Sequence, residues 1–253
     1  MDLILCGCNG RMGRAVTALA GEQPDMCIAA GVDISGEKLA DYPVYKDIRE
    51  FSGKADCIVD FSGVSALEPI LEYCRRTHTP AVLATTGYSE AQLAAVAEAA
   101  REVPLFRSAN MSLGINVLLE LVRTATRILG DGYDIEIIEQ HHNQKLDAPS
   151  GTALMIADAA ASARDCESEY VYDRHAVRQK RKKAEIGISS VRGGTIVGVH
   201  DVLFAGHDEQ LEIRHTATSR EVFAAGALKA AAFLGKQTEP GLYDMSDVVK
   251  KII

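Results

Sequence analysis

The stretch "LILCGCNGRMG", residues 3–13, decides the fold. Residues 3–7 form a short apolar run that reads as a buried strand, and the glycines at 7, 10 and 13 lead straight into a helical pattern, "GRMGRAVTALAGEQPD", that fades near Gly21 and Pro24. Glycine lets the backbone turn sharply and approach a pyrophosphate, whose charge then faces the free amides at a helix N-terminus. The strict pattern is G-x-G-x-x-G, and Asn9 stands where it has its second glycine. Asparagine tolerates left-handed backbone better than most residues, so the turn is expected to survive. Alone, the motif also fits a plain tight turn. Its context argues otherwise. A second strand, 26–33, ends at Asp33, the spacing at which a carboxylate hydrogen-bonds the adenine-side ribose. Strand, loop, helix, strand and acid together predict a dinucleotide-binding domain. Asp33 repels a 2′-phosphate, the next residue is Ile34 rather than arginine, and Lys38 is the nearest basic side chain in sequence. NADH is therefore the expected cofactor, with NADPH still usable.

Outward from this stretch, strands at 55–62, 80–85 and 103–108 alternate with helical patterns at 66–78 and in "EAQLAAVAEAAREV", which Ser89 and Gln92 open as a capping box. Such alternation indicates βαβ units and a parallel sheet. After Asn110 the character changes. A long helix, 116–129, precedes a strand at 133–140, a helix from Ser150 to about 164, and strands at 185–192 and 198–218 that include a hairpin at "GHDE", 206–209. That run predicts a mixed or antiparallel sheet in a second domain. The chain ends with the helix "SREVFAAGALKAAAFL" and a short one at "DMSDVVKKI".

The bulk composition excludes several classes. With 253 residues, 47% hydrophobic, the chain can bury one large or two modest cores. A net charge of −8 argues against nucleic acid or an anionic membrane as the main partner. No stretch approaches the ~18 apolar residues of a membrane span, and "MDLILCGCNG" lacks the basic start and long apolar core of a signal peptide. The six cysteines lack C-x-x-C pairing and read as free thiols of a reducing cytoplasm. The basic run "RQKRKK", 178–183, is either a solvated loop or an attractor of an anionic ligand or partner.

A second stretch, "IIEQHHNQKLDAPSGTA" at 137–153, crowds titratable groups at a strand end. Adjacent His141 and His142 point to opposite faces of an extended backbone, no H-x-x-x-H or C-x-x-C partner lies nearby, and Lys145 repels a cation, so no metal is expected. Satisfied strand-end histidines beside a surface lysine are one reading. The other is an anion site: Lys145 is a compact cation, a histidine titrates near neutral pH, and Ser150-Gly151-Thr152 opens a helix whose N-terminus attracts carboxylates. That combination describes a site for a small polycarboxylate with a proton donor beside it.

"GCNGRMG" (7–13), "ATTG" (84–87), "SANMSLGIN" (108–116), "EQHHNQKLDAPSGTA" (139–153), "VRGGTIVGVH" (191–200) and "GLYDM" (241–245) closely resemble the 4-hydroxy-tetrahydrodipicolinate reductases (dihydrodipicolinate reductases) of bacterial lysine and diaminopimelate synthesis, nearly end to end. The resemblance implies an NAD(P)H-dependent reduction of 4-hydroxy-tetrahydrodipicolinate to tetrahydrodipicolinate with loss of water. It implies an α/β fold: a Rossmann domain from residues 1–112 and 219–253, and an inserted α+β domain with a mixed sheet, 113–218, that binds substrate and builds a cytoplasmic homotetramer. By the same resemblance His141 would be the proton donor and acceptor and Lys145 the second catalytic donor, with His142, Ser150, Gly151 and Thr152 binding the substrate. Gly7, Cys8, Asn9, Gly10, Arg11, Met12 and Asp33 would hold the cofactor, and Ala84, Thr85, Thr86, Ser108, Ala109, Asn110 and Met111 would shape its nicotinamide side. Ala84 stands where the family usually has glycine, Met111 where it often has phenylalanine, and Ile34 where some members carry a basic residue against the 2′-phosphate. Two other classes compete: another two-domain oxidoreductase such as an aspartate or homoserine dehydrogenase, which lacks the His-His-x-x-Lys layout, and a non-catalytic NADH sensor, which needs no aligned acid and lysine.

Overall fold

The computed structural model describes residues 1–251. In chain order the first part carries β1 (Asp2–Cys6), α1 (Arg11–Gly21), β2 (Cys27–Val32), β3 (Val44–Tyr45), β4 (Cys57–Asp60), α2 (Leu67–Thr77), β5 (Ala81–Leu83), α3 (Glu90–Ala99) and β6 (Pro104–Arg107). There follow α4 (Leu113–Leu129), β7 (Asp134–His141), α5 (Gly151–Ala161), β8 (Glu169–Val171), β9 (Glu185–Arg192), β10 (Gly198–Ala205) and β11 (Gln210–Ala217), and the chain closes with α6 (Glu221–Leu234), β12 (Gly241–Tyr243) and α7 (Met245–Lys250). Residues group into two compact units, one of Met1–Leu113 with the chain from Glu221 onward, the other Gly114–Arg220. The family resemblance implies boundaries at 112/113 and 218/219, and the positions 252 and 253 lie outside the described residues.

The first unit is a seven-stranded sheet in the order β12-β6-β5-β4-β1-β2-β3, with every pair parallel. Its central strands are apolar without alternation because both faces are covered: all four residues of β4 and all three of β5 are buried. On one face α1 and α6 supply Val16, Ala20, Ala227, Leu228 and Leu234. On the other, α2 and α3 supply Ile70, Leu71, Cys74, Val96 and Ala99. Each large apolar side chain buried here, such as Leu5 or Phe106, contributes roughly 1.5–3 kcal/mol. Helix α6 packs in this unit against α1 and across β4 and β5. Strand β1 sends its connection to one face and β4 to the other, so a crevice opens beyond their carboxyl ends. In open α/β sheets that switch point is where ligands sit.

The second unit holds a mixed five-stranded sheet, β11-β10-β7-β9-β8, in which β7 runs antiparallel to β10 and parallel to β9. Burial alternates along β7, with Ile135, Ile137, Glu139 and His141 inward. The first two meet Leu118, Val122, Ile156 and Ala160 of α4 and α5 in one core. Glu139 and His141 continue that same inward register, which is how two ionisable groups come to be buried at a strand end.

Several expectations shift. Helix α4 begins at Leu113 rather than 116, and the helix expected from Ser150 begins at Gly151 with Ser150 as its N-cap. Strands β3, β8 and β12 do not stand out in the sequence, since two or three residues carry no periodicity. Two side chains of the basic run, Arg181 and Lys182, have structural partners. Arg181 bonds Asp134, Glu136 and the carbonyls of Ile135 and Glu185, Lys182 pairs with Glu169, and nearby Arg174 joins Glu136 to Glu185.

Candidate active site

The glycine loop is shaped by backbone geometry and close approach. Gly7 has φ +74°, and a Cβ there would lie 2.6 Å from the carbonyl oxygen of Phe61. A Cβ on Gly13 would overlap the carbonyl of Gly7, so α1 packs against the loop only with glycine at that position. Asn9, by contrast, is not left-handed; His78 and Asp208 are the non-glycine residues with positive φ among the described residues. Its side chain instead donates to Ser35 Oγ and the Glu37 carbonyl, both at 2.9 Å. Asparagine at this position therefore ties the glycine loop to the turn after β2 instead of adopting glycine's backbone. Asp33 belongs to the same network, accepting from Asn9 N at 3.2 Å, Ser35 N at 3.1 Å and Ser35 Oγ at 2.9 Å.

Two cavities open along the switch point. The first, about 440 Å³, is lined by Gly7, Gly10, Asp33, Ile34 and Lys46. The second, about 450 Å³, is lined by Met12, Ala84, Thr85, Thr86, Ser108, Ala109, Asn110 and Met111, with Phe223 of α6. Phe61, Ser62 and Gly63, which follow β4, line both. The residues lining the two cavities, with the glycine loop between them, are those that could hold an extended dinucleotide. Behind the loops, the buried Asp60 accepts from Ser62 N at 3.0 Å, from Ser62 Oγ, and from Tyr88 Oη at 3.3 Å. Burial pushes this carboxyl up, against the hydrogen bonds from Ser62.

In the second unit, Glu139 is fully buried and all of its acceptor capacity is used. Arg192 donates to both its oxygens, at 2.8 and 2.7 Å, Ser150 N donates to Oε1 at 3.2 Å, and His141 Nδ1 lies 2.5 Å from Oε2. Burial raises the Glu139 pKa, but the bonds from Arg192, Ser190 and His141 outweigh it and bring it down to about 2. An ionised carboxylate only accepts, so Nδ1 of His141 carries the hydrogen and Nε2 is the free position. Burial lowers the His141 pKa; its bond to Glu139 resists, while Lys145 and Arg192 add to the lowering. His200 packs edge-on at 5.3 Å between ring centroids, shares a 3.1 Å hydrogen bond with Ser150 Oγ, and is depressed by burial to about 4.

Lys145 lies in the following turn and pairs at 2.8 Å with Asp147, whose side chain is 57% exposed. Ser150 Oγ caps α5 by accepting from Ala153 N at 3.1 Å. Gly151 is exposed, and a Cβ there would meet nothing within 4 Å. This end of the unit therefore offers an oriented imidazole, one weakly held ammonium and the exposed Gly151 at the start of α5.

The expected residues fall into groups. Gly7, Gly10 and Asp33 line the first cavity, and Met12 with the seven residues at 84–86 and 108–111 lines the second. Cys8 is buried, with its sulfur toward Gly31, and Arg11 is exposed; like Asn9, they line neither. His141, Lys145, Gly151 and Thr152 sit at one end of the second unit, His142 is half-buried just past the end of β7, and Ser150 is occupied by capping and His200. Sequence reasoning missed Phe61–Gly63, Lys46, Glu139, Arg192 and His200. Glu139 was readable as the residue two before His141 on the same strand face. Arg192 and His200 depend on which strands pair: Arg192 is opposite His141, and His200 opposite Glu139.

Comparison with known proteins places this geometry among relatives. Residues 1–111 match the family model "Dihydrodipicolinate reductase, N-terminus", and residues 114–249 match its C-terminus counterpart. The 4-hydroxy-tetrahydrodipicolinate reductase of Caldanaerobacter subterraneus subsp. tengcongensis is 55% identical over 98% of both chains. That of Clostridium tetani is 49% identical over 96% of this chain and 94% of the relative. Among solved structures, the dipicolinate-bound dihydrodipicolinate reductase from Paenisporosarcina sp. TG-14 superposes with a TM-score of 0.81 at 23% identity, covering 96% of this chain and 97% of that one.

Proposed function

Because the chain belongs to the dihydrodipicolinate reductase family, we propose that it reduces 4-hydroxy-tetrahydrodipicolinate to tetrahydrodipicolinate with loss of water, in lysine and diaminopimelate biosynthesis. A reduced pyridine nucleotide supplies the hydride when bound in the first unit. The second unit takes the dicarboxylate. The observation that carries the reading is the buried Glu139–His141 pair at the end of β7, beside Lys145 and the open start of α5.

The chemistry follows from charge. Free His141 is held neutral, with Nε2 unprotonated. A dianion bound nearby favours the imidazolium, so substrate binding itself loads the proton that the reduced ring then receives from Nε2. Glu139 stays ionised, fixes the tautomer and stabilises the cation, and Arg192 keeps Glu139 charged. The Lys145–Asp147 pair is solvated and worth only ~0–1 kcal/mol, so a substrate carboxylate can replace Asp147 at little cost. Gly151 and Thr152 offer amides to a carboxylate at the positive end of α5. His142 would contact the substrate from the turn side, and Ser150 would act by holding the helix start and His200 rather than by touching substrate.

For the cofactor, Asp33 favours NADH, with NADPH usable. Residues 1–112 and 219–253 would form the dinucleotide domain, and 113–218 the substrate domain that assembles a cytoplasmic homotetramer. No helix among the described residues is long and apolar enough to cross a membrane. The reading is tested by following NADH absorbance with substrate freshly generated by the preceding synthase. Substrate-dependent oxidation is expected; its absence, with NADH still bound, would leave a nucleotide-binding sensor instead.

A further inference from the structure

We infer that Lys46, a residue remote from Asp33 in sequence, is the determinant that admits the 2′-phosphate of NADPH. The inference rests on the reading that the first unit holds a pyridine nucleotide. Strand β3 pairs in parallel with β2, matching Val32 to Tyr45, and Asp33 N donates to the Tyr45 carbonyl at 2.9 Å. Lys46 is the next residue, so the ladder sets it beside Asp33. Both residues line the first cavity, and Lys46 is the one basic side chain among those that line it. Its stem is held in place: at Gly36, where φ is +64°, a Cβ would lie 2.8 Å from Lys46 Cε and 2.9 Å from Cγ.

The neighbouring charges leave Lys46 uncommitted. Asp33 spends its oxygens on Asn9 and Ser35. Asp47, the other acid lining the cavity, is engaged by Arg49 at 2.9 and 2.6 Å. Lys46 itself makes no ion pair among the described residues. Ile34, at the position after the acid, is 93% exposed and has no charge to offer. Lys38, the basic residue closest in sequence, does not line the cavity. At a solvated rim the repulsion from Asp33 and the attraction to Lys46 act over similar distances and are of similar size. The two offset, and the enzyme uses both nucleotides because of Lys46.

The test is titration of NADH and NADPH, followed by nicotinamide fluorescence at low salt, into the wild type, Lys46→Met and Lys38→Met. Methionine keeps an unbranched stem over Gly36 and removes only the charge. For Lys46→Met, Kd for NADPH should rise about 10-fold, the scale of a lost charge-assisted hydrogen bond, with Kd for NADH changed less than about twofold. Lys38→Met should match the wild type. An NADPH Kd within about twofold of wild type in Lys46→Met, the loss appearing in Lys38→Met, or a wild type that binds NADH but not NADPH, each overturns the assignment of Lys46. A wild type that binds neither nucleotide overturns instead the reading on which the assignment rests.

Discussion

His141 Nδ1 and Glu139 Oε2 lie 2.5 Å apart, two residues along one strand and on its buried face. The contact joins a carboxylate held ionised by Arg192 to an imidazole kept neutral by burial, so the direction of the hydrogen bond is set by charge. Replacing Glu139 by Gln keeps the shape but removes that direction. We expect kcat to fall about 100-fold or more, with nucleotide binding unchanged, measured by steady-state kinetics and NADH titration. Glu139→Ala should also destabilise the fold by about 1–3 kcal/mol, because the buried Ser150 N–H and the partly exposed Arg192 lose their acceptor. A Gln variant with wild-type kcat would sink the orienting role.

His141→Gln and Lys145→Ala separate the proton donor from the ammonium. Each should lower kcat about 100- to 10,000-fold without altering NADH affinity. Lys145→Ala should in addition raise KM, since its partner Asp147 is exposed and the ammonium is available to a substrate carboxylate. Wild-type turnover in either variant would remove that residue from the chemistry.

Gly151→Ala distinguishes a binding surface from a structural glycine. Nothing in the fold lies within 4 Å of the added Cβ, so the melting temperature should stay within a few degrees of wild type. KM for the substrate should rise about 10-fold if a carboxylate rests on this helix start, the scale of one lost charge-assisted hydrogen bond. Unchanged KM in a folded variant would place the carboxylate elsewhere. Gly7→Ala is the counterpart in the first unit. A left-handed backbone and the 2.6 Å approach to Phe61 predict at least about 2 kcal/mol of destabilisation, together with loss of nucleotide binding, by thermal melts and titration.

The inward histidines make stability depend on pH. His200 is depressed from 6.5 to about 4, and His141 and His215 are lowered in the same direction, in each case by burial first. Between those values the unfolded chain binds more protons than the folded one, so stability is complete above about pH 6.5 and falls as the pH drops toward about 4. His200 alone accounts for up to about 3 kcal/mol of that loss. Glu139 adds a further loss below its ordinary 4.5, continuing toward about 2. Denaturant melts from pH 7.5 to 4.5 should show the decline, and His200→Gln should flatten it. An equal slope in the variant would show that His200 does not carry this linkage.

Much was legible in the chain alone, and for a physical reason: the periodicities and the glycine loop are local. Residues 3–13 and Asp33 determine a dinucleotide fold because strand, turn and helix N-terminus are contiguous, and the stretch at 137–153 carries its acid, lysine and helix cap in a single connected piece. What depends on pairing between distant segments was decided only by the tertiary structure. Glu139 became the buried partner of His141 through Arg192 on a neighbouring strand, Asn9 became a tie to Ser35 rather than a stand-in for glycine, and Lys46 came to stand beside Asp33. Hydrogen-bond registers between strands bring such residues within a few ångströms, and no short-range pattern encodes which strands will be neighbours.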